Sequence, residues 1–455
     1  MDLSLIKRFD KTGPRYTSYP TADRFTTDYN EIDYCRNILD LNQQEANKSY
    51  SLYLHLPFCR TLCFYCACNK IVTRSELKAK NYLNYLKQEI SMQSSLFKDK
   101  VEIEQMHWGG GTPTYYEMDE LDNLFKHVKK HFNLYKNAEC AIEIDPRTVD
   151  REKIFALQKM GFNRISLGIQ DFNIEVQKAI NRIQSEEQTL KIFHAAREAG
   201  FESVNVDLIY GLPLQTEENF RKTINVIIQA KPDRIAIYNY AHMPTKVKSQ
   251  KKILNSDLPD SNKKLALLWM ATELLRASGY LHIGMDHFAL AQDSLSIAQK
   301  EGKLQRNFQG YSTGSGQDLI GIGVSSISQI GSHYIQNHRN LEEYYARLDQ
   351  GHLPIFRGIK LNTDDLLRRE LIQSLMCHFI VSKHNLEITY PINFDDYFSK
   401  ELNILNEMEK NGLVELESDW ISVTTKGRFL IRNIAMVFDI HQSIVTGQEK
   451  FSKLI

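Results

Sequence analysis

The chain has 455 residues, 42% apolar and 25% charged, the balance of a soluble globular protein and too long for one ordinary core, so a large domain plus a smaller one is expected. Lys plus Arg and Asp plus Glu number 56 each, which argues against a bulk nucleic-acid or polyanion binder. The N-terminus, MDLSLIKRFDKTGPRY, has no apolar signal core, and no run of about 18 apolar residues occurs, so a cytoplasmic chain without a membrane span is expected, its thiols reduced.

Residues 1–48 read as a polar, aromatic-containing arm, GPRYTSYPTADRF. From 49 to 360, short apolar, β-branched runs recur: SLYLHLP, EQMHWGG, CAIEIDP, RISLGIQ, VNVDLIYGL and RIAIYNY. Between them lie amphipathic segments such as LKAKNYLNYLKQEI and REKIFALQKMGF, with apolar residues at i, i+3, i+4 and i+7. Two such segments end at Gly161 and Gly200, a helix-stop signal. Strands alternating with helices predict βαβ units and a parallel α/β sheet. Six units are too few to close an eight-fold barrel, so a partial, open barrel or a doubly wound sheet is expected. Residues 361–455 change to helix, helix and a two-stranded wing, a mainly helical, winged-helix-like end.

The chemistry-bearing residues gather at the expected strand ends, the face from which barrel sites are built. Four of seven cysteines fall in HLPFCRTLCFYCACNK, spaced Cys59-x3-Cys63-x2-Cys66-x-Cys68. Structural zinc usually takes two separated Cys/His pairs, and no partner pair exists here, since Cys35, Cys140 and Cys377 stand alone and read as buried small hydrophobes. A disulfide scaffold is disfavoured in a reducing compartment. A ferredoxin-type cluster uses four cysteines, the last usually more distant. The alternative is a [4Fe–4S] cluster held by three cysteines with one iron open.

The Cx3Cx2C spacing resembles the signature of the radical S-adenosylmethionine (SAM) superfamily. There the open iron binds the amino and carboxylate groups of SAM, and one electron into the sulfonium yields methionine and a 5′-deoxyadenosyl radical. The cofactor carries that chemistry, while the protein positions it and excludes water. Trp108-Gly109-Gly110-Gly111-Thr112-Pro113 follows a strand; a glycine triplet permits close backbone approach, and here it resembles the superfamily's site for the SAM amino group.

The likeness extends further. GPRYTSYPTA, YLHLPFCRTLCFYCACNKIVTR, HWGGGTPTY, EIDPR, SLGIQDF, DLIYGLP, YNYAHMP, RNFQGYST, GIGVSSIS and RNIAMVFD follow one another as in the oxygen-independent coproporphyrinogen III oxidases, and the chain resembles that family over essentially its full length. The resemblance implies oxidative decarboxylation of two propionates of coproporphyrinogen III to the vinyls of protoporphyrinogen IX. It implies Cys59, Cys63 and Cys66 as cluster ligands, with Cys68 in an extra position that takes part in turnover rather than ligation. Tyr65 matches an aromatic position near the adenine. Two SAM molecules are implied: Tyr53, Gly110, Glu143 and Ile327 match contacts to the cluster-bound one, Tyr53 also being a catalytic candidate. Gly111, Thr112, Gln170, Arg182, Asp207 and Ala241 match contacts to the second. Without the family, Glu143 and Asp207 read as strand-end caps or ion-pair partners, and Arg182 as a surface helix residue.

The substrate's four carboxylates ask for cationic and polar donors, for which Arg15, Arg306, Phe308 and Gln309 are the candidates around the macrocycle. His55, His107 and His287 read as hydrogen-bonded structural residues, Lys246–Lys252 (KVKSQKK) as a solvated loop, and Gly321-x-Gly323 as part of GIGVSSIS rather than a nucleotide loop. A haem-binding chaperone of the same superfamily is the near rival; Cys68 and the GPRYTSYP arm favour the oxidase. A DNA-binding regulator would want a basic recognition helix, whereas FSKELNILNEMEKNGL holds more acidic than basic residues. A monomer served by an electron donor such as a flavodoxin or ferredoxin is expected.

Overall fold

The computed structural model describes residues 13–44, 48–314 and 318–441; residues 1–12 of the expected arm lie outside them. Packing divides the chain into two units, each discontinuous in sequence. One comprises Phe25–Gly279 and Gly316–Lys360, the other Met1–Arg24, Tyr280–Ser315 and Leu361–Ile455. These units differ from the boundaries at 48 and 360 expected from the sequence.

In the first unit the apolar runs form β1 (Ser49–Leu56), β2 (Glu102–Gly110), β3 (Asn133–Ile144), β4 (Arg164–Gln170), β5 (Ser203–Tyr210) and β6 (Arg234–Asn239). They lie side by side in that order, all parallel. Helices such as Glu76–Ser95, Arg151–Met160, Glu186–Ala199 and Glu217–Ala230 make the crossovers. Ser75, Asp150, Ser185 and Thr216 cap their N-termini by accepting from backbone N–H groups. Gly161 and Gly200 end two of them at positive φ, as their sequence positions predict. One face of these strands is sealed, with Ile142, Ile165, Leu167, Val204, Val206, Ile235 and Ile237 all inaccessible or nearly so, while alternate positions carry the partly buried Glu143, Ser166, Asn205 and Asp207.

The sheet also continues past β1, which the sequence reading did not foresee. β7 (Asp318–Ile322) pairs parallel to β1, and β8 (Ile327–Ile330), β9 (His333–Asn337) and β10 (Ile355–Lys360) extend it antiparallel. Gly321 sits inside β7 because a side chain there would strike the Ile327 carbonyl of the strand that folds back on it. The expected polar arm likewise holds a helix, Glu31–Gln44, which buries Tyr34 and Ile38.

In the second unit the described part of the arm is built in rather than free. Tyr16 and Tyr19 are buried, the Tyr16 hydroxyl donates to Asp439 (2.9 Å), and Arg432 donates to the Pro14 carbonyl (2.9 Å). Helices Thr363–His378 and Ser399–Lys410 appear where expected. The wing has three strands instead of two: Trp420–Val423 lies between Val414–Leu416 and Ile380–Ser382. Phe379, at φ 61°, ends the first helix in the left-handed region and turns the chain straight into that extra strand. Cys140 and Cys377 are buried, whereas Cys35 is only half-buried on its helix. Among the described residues no helix is long and apolar enough to cross a membrane.

Candidate active site

The C-terminal ends of β1 to β6 open into a cavity of about 640 Å³ within the first unit. Its wall includes Cys59, Cys63, Tyr65, Cys66, Cys68, Gly110, Gly111, Thr112, Glu143, Gln170, Arg182 and Asp207, so most residues singled out by sequence meet there. Tyr53, Ala241 and Ile327 are not among its lining residues.

The cysteine loop leaves β1 at Pro57 and is tied down by backbone bonds from Gly111 N–H to the Leu56 carbonyl and Thr112 N–H to the Phe58 carbonyl, both 2.9 Å. A buried amide, Gln250, donates to the carbonyls of Tyr65 (2.9 Å) and Ala241 (3.0 Å), clamping the cysteine loop to the segment after β6. Gln250 lies inside the stretch read as a solvated basic loop and was missed there. Its neighbour Lys252 covers the Phe64 ring at 4.8 Å.

Each glycine of the triplet makes room for protein. A Cβ on Gly109 would sit 2.7 Å from the Glu143 carboxylate, on Gly110 2.6 Å from the His55 ring, and on Gly111 2.5 Å from the Pro57 carbonyl carbon. Gly110 also holds φ 113°, open to glycine alone at low cost. In return Glu143 accepts from Gly110 N–H (3.1 Å) and pairs with His107 Nε2 (3.1 Å). Burial pushes this carboxyl up, but His107 and the Gly110 N–H outweigh it and hold Glu143 below its ordinary value. Tyr53 stacks on His107 (5.9 Å) and shares a hydrogen bond with His55 Nδ1 (3.1 Å); His55 Nε2 meets the Asn69 carbonyl (2.9 Å). His287 pairs with Asp286 (2.7 Å) in the second unit.

Around the thiols the donors are cationic or hydroxylic. Thr112 Oγ1 donates to Cys59 Sγ (3.4 Å), and Arg182 Nη1 and Arg147 Nη2 each donate to Cys63 Sγ (3.7 Å). The Cys68 thiol, by hydrogen bonding, and the Lys70 ammonium bring Cys66 down to about 6 against its burial, while burial lifts Cys59 to about 11. Arg182 is also held by Asp145 (3.0 Å) and the Gly168 carbonyl (2.6 Å). It is a buried cation, not the surface helix residue its sequence position suggests. Gln170 ends β4 at φ 71°, and its Oε1 is buried with no hydrogen-bond partner among the described residues. Asp207 accepts from Ser166 Oγ (2.8 Å) and Asn205 Nδ2 (2.9 Å), two helpers that sequence reasoning missed. Asp145 and Arg147 carry one local signal in EIDPR, an Asp that caps a turn started by Pro146.

Among the described residues no three His, Cys, Asp or Glu side chains converge as single-ion ligands do. A thiol loop ringed by N–H and O–H donors, beside a buried amide oxygen left unpaired, has the donor chemistry that suits an iron–sulfur cluster and a polar cofactor.

The four substrate candidates lie in the second unit. Arg306 Nε donates to the Arg15 carbonyl (3.1 Å) and its guanidinium lies over Tyr311 (4.7 Å), while Arg15 itself pairs with Asp286. Arg306 Nη1 and Gln309 Nε2 are buried with no partner among the described residues. Phe308 lies between the short strands Gln305–Asn307 and Gly310–Ser312.

Residues 53–227 match the radical SAM superfamily and 361–430 the HemN C-terminal domain. Together with the parallel sheet and the thiol-lined cavity at its strand ends, this makes the chain a radical SAM protein, a class that implies a [4Fe–4S] cluster and SAM. Full-length relatives narrow the class. The chain is 45% identical to the oxygen-independent coproporphyrinogen III oxidase of Escherichia coli (strain K12) and 44% to that of Pseudomonas aeruginosa, aligning over 100% of its own length and 98% of theirs. The solved structure of coproporphyrinogen III oxidase (HemN) from Escherichia coli, a radical SAM enzyme, matches with a TM-score of 0.91 over 96% of this chain and 98% of that one. The chain belongs to the oxygen-independent coproporphyrinogen III oxidase family.

Proposed function

We propose that this chain converts coproporphyrinogen III to protoporphyrinogen IX without oxygen. The observation that carries the reading is the joining of Cys59, Cys63 and Cys66 with Gly110, Glu143, Gln170, Arg182 and Asp207 around one cavity, in a chain of that family. When bound, the [4Fe–4S] cluster and SAM supply the 5′-deoxyadenosyl radical. Each of two propionates gives up a β-hydrogen atom to it, then CO2 and one electron, and becomes a vinyl.

In this reading the three thiolates hold the cluster and Cys68 stays outside the ligand set, where its hydrogen bond to Cys66 favours the Cys66 thiolate. Tyr53, Gly110, Glu143 and Ile327 serve the cluster-bound SAM; the Glu143 carboxylate, kept charged by His107, receives an ammonium donor. Gly111, Thr112, Gln170, Arg182, Asp207 and Ala241 serve a second SAM, and Tyr65 borders the adenine. Gln170 lines the cavity and its Oε1 has no partner among the described residues, which supports a polar ligand there. Arg306 and Gln309 offer unpaired N–H groups suited to propionates, with Arg15 and Phe308 beside them. A low-potential donor such as a flavodoxin or ferredoxin supplies the electron, and the enzyme works as a cytoplasmic monomer.

The test is anaerobic reconstitution with iron and sulfide, then reduction and incubation with SAM and coproporphyrinogen III, with products read by mass spectrometry. Loss of two CO2 with 5′-deoxyadenosine formation is expected. SAM cleavage without decarboxylation would move the reading to another substrate.

A further inference from the structure

Arg147 has no part in the roles assigned above, yet its guanidinium is aimed at a cluster thiol. It follows Pro146 in a short turn whose cap, Asp145, accepts from the Arg147 backbone N–H and from Nε, both at 3.0 Å. The same carboxylate takes Nη2 at 2.7 Å, so the fork is fixed at one side. The remaining face of Nη2 points to Thr61 Oγ1 (3.3 Å) and Cys63 Sγ (3.7 Å). Arg182 Nη1 shares with Arg147 the same Asp145 oxygen, Oδ2 (3.0 Å), and reaches the same sulfur, also at 3.7 Å. Two guanidiniums and one carboxylate therefore leave one net positive charge against Cys63. Their side chains are 19%, 6% and 10% exposed, so water screens that charge poorly.

We propose that Arg147 is a tuning residue: by donating an N–H to the Cys63 sulfur and fixing a cation beside it, it raises the reduction potential of the cluster. This rests on the reading of Cys63 as a ligand. Adding one electron from an external low-potential reductant makes the cluster one unit more negative, and a fixed donor and cation favour that state over the oxidised one. Asp145 moderates the effect and, more importantly, holds the fork in place. Arg182 is the partner of a different kind, because its Nη2 is committed to the Gly168 carbonyl across the end of β4.

The measurement is a redox titration of the reconstituted full chain without SAM, the reduced cluster being followed by its electron paramagnetic resonance signal and iron and sulfide being counted in parallel. Arg147→Met should load a full cluster whose one-electron equilibrium lies about tenfold toward the oxidised form, a fall of about 59 mV. Arg147→Lys, which keeps the charge but not the fork, should fall between the two. A fully loaded Arg147→Met with an unchanged midpoint would overturn the proposal. Failure of both variants to take up a cluster would also overturn it, making Arg147 an assembly residue. Cys63→Ser is the separate control: a full cluster signal there removes the ligand reading itself, whatever Arg147 does.

Discussion

Two buried arginines, one in each unit, show how differently the same side chain is used. Arg368, 8% exposed, spends its fork on protein: both Asp364 oxygens at 3.0 Å, Glu401 at 2.9 Å and the Phe438 carbonyl at 3.0 Å, with Phe398 under its plane at 5.1 Å. Arg182, 6% exposed, meets Asp145 and the Gly168 carbonyl, but also a cysteine sulfur, and its Nε has no partner among the described residues. The first is a closed ion-pair network that joins a helix to its neighbours. The second is an open one, incomplete on a residue that lines a cavity. Burial of charge alone does not mark a site; incomplete satisfaction at a strand end does.

The contrast makes predictions that fall in order of size. Cys59→Ser, Cys63→Ser or Cys66→Ser should abolish the cluster and all SAM cleavage, checked by iron and sulfide content and by 5′-deoxyadenosine. A single variant with a full [4Fe–4S] signal and turnover would sink the three-ligand reading. Arg368→Met should cost about 1.5–3 kcal/mol, because the half-buried carboxylates of Asp364 and Glu401 lose their charged donor. Denaturant unfolding measures that cost, and the folded fraction should still load its cluster. If the cluster were lost as well, the distinction between the two arginines would fail.

Asp207→Ala should leave the cluster intact and weaken the proposed second SAM site by roughly tenfold to a hundredfold, the scale of one hydrogen bond to a charged group. Equilibrium dialysis with labelled SAM reads this, and unchanged stoichiometry and affinity would remove the role. A pH-dependent effect on stability, of about the same size, follows from Glu89. It is wholly buried, accepts from Gly323 N–H (2.8 Å), Asn337 (2.6 Å) and the Tyr344 hydroxyl (2.5 Å), and burial raises it from 4.5 to about 7 against those bonds. Between those values the folded chain keeps a proton that the unfolded chain has released, so the contribution of Glu89 to stability is fully present below pH 4.5 and is lost as pH rises through 7. The total is roughly 3 kcal/mol. Unfolding curves across that range should show the decline, and Glu89→Gln should flatten it.

The parts of this arrangement that sequence made legible are those whose signals are local. β1 to β6 announce themselves because one sealed face demands apolar residues at alternate positions, and the cysteine loop because its thiols fall within one short segment. The extension β7 to β10 was hidden by Gly321, whose packing against Ile327 breaks the strand pattern that periodicity looks for. Helix Glu31–Gln44 was hidden by its polar composition, with few residues such as Tyr34 and Ile38 fully buried. The donors to Cys63 were invisible for another reason: Arg182 lies 119 residues away, and only the turn after β3 and the end of β4 bring the two together. Gln250 shows the same limit, since its clamp on Tyr65 spans 185 residues.

The glycine triplet has a consequence for anyone mapping this chain by saturation mutagenesis. Gly109, Gly110 and Gly111 would register as three consecutive intolerant positions, a pattern readily taken for a ligand fingerprint. The steric conflict at each is with Glu143, His55 or Pro57. Intolerance there measures how tightly three neighbouring strand ends are keyed to one another, and compensating substitutions should be sought at those protein neighbours before any are sought in the cofactor's grip.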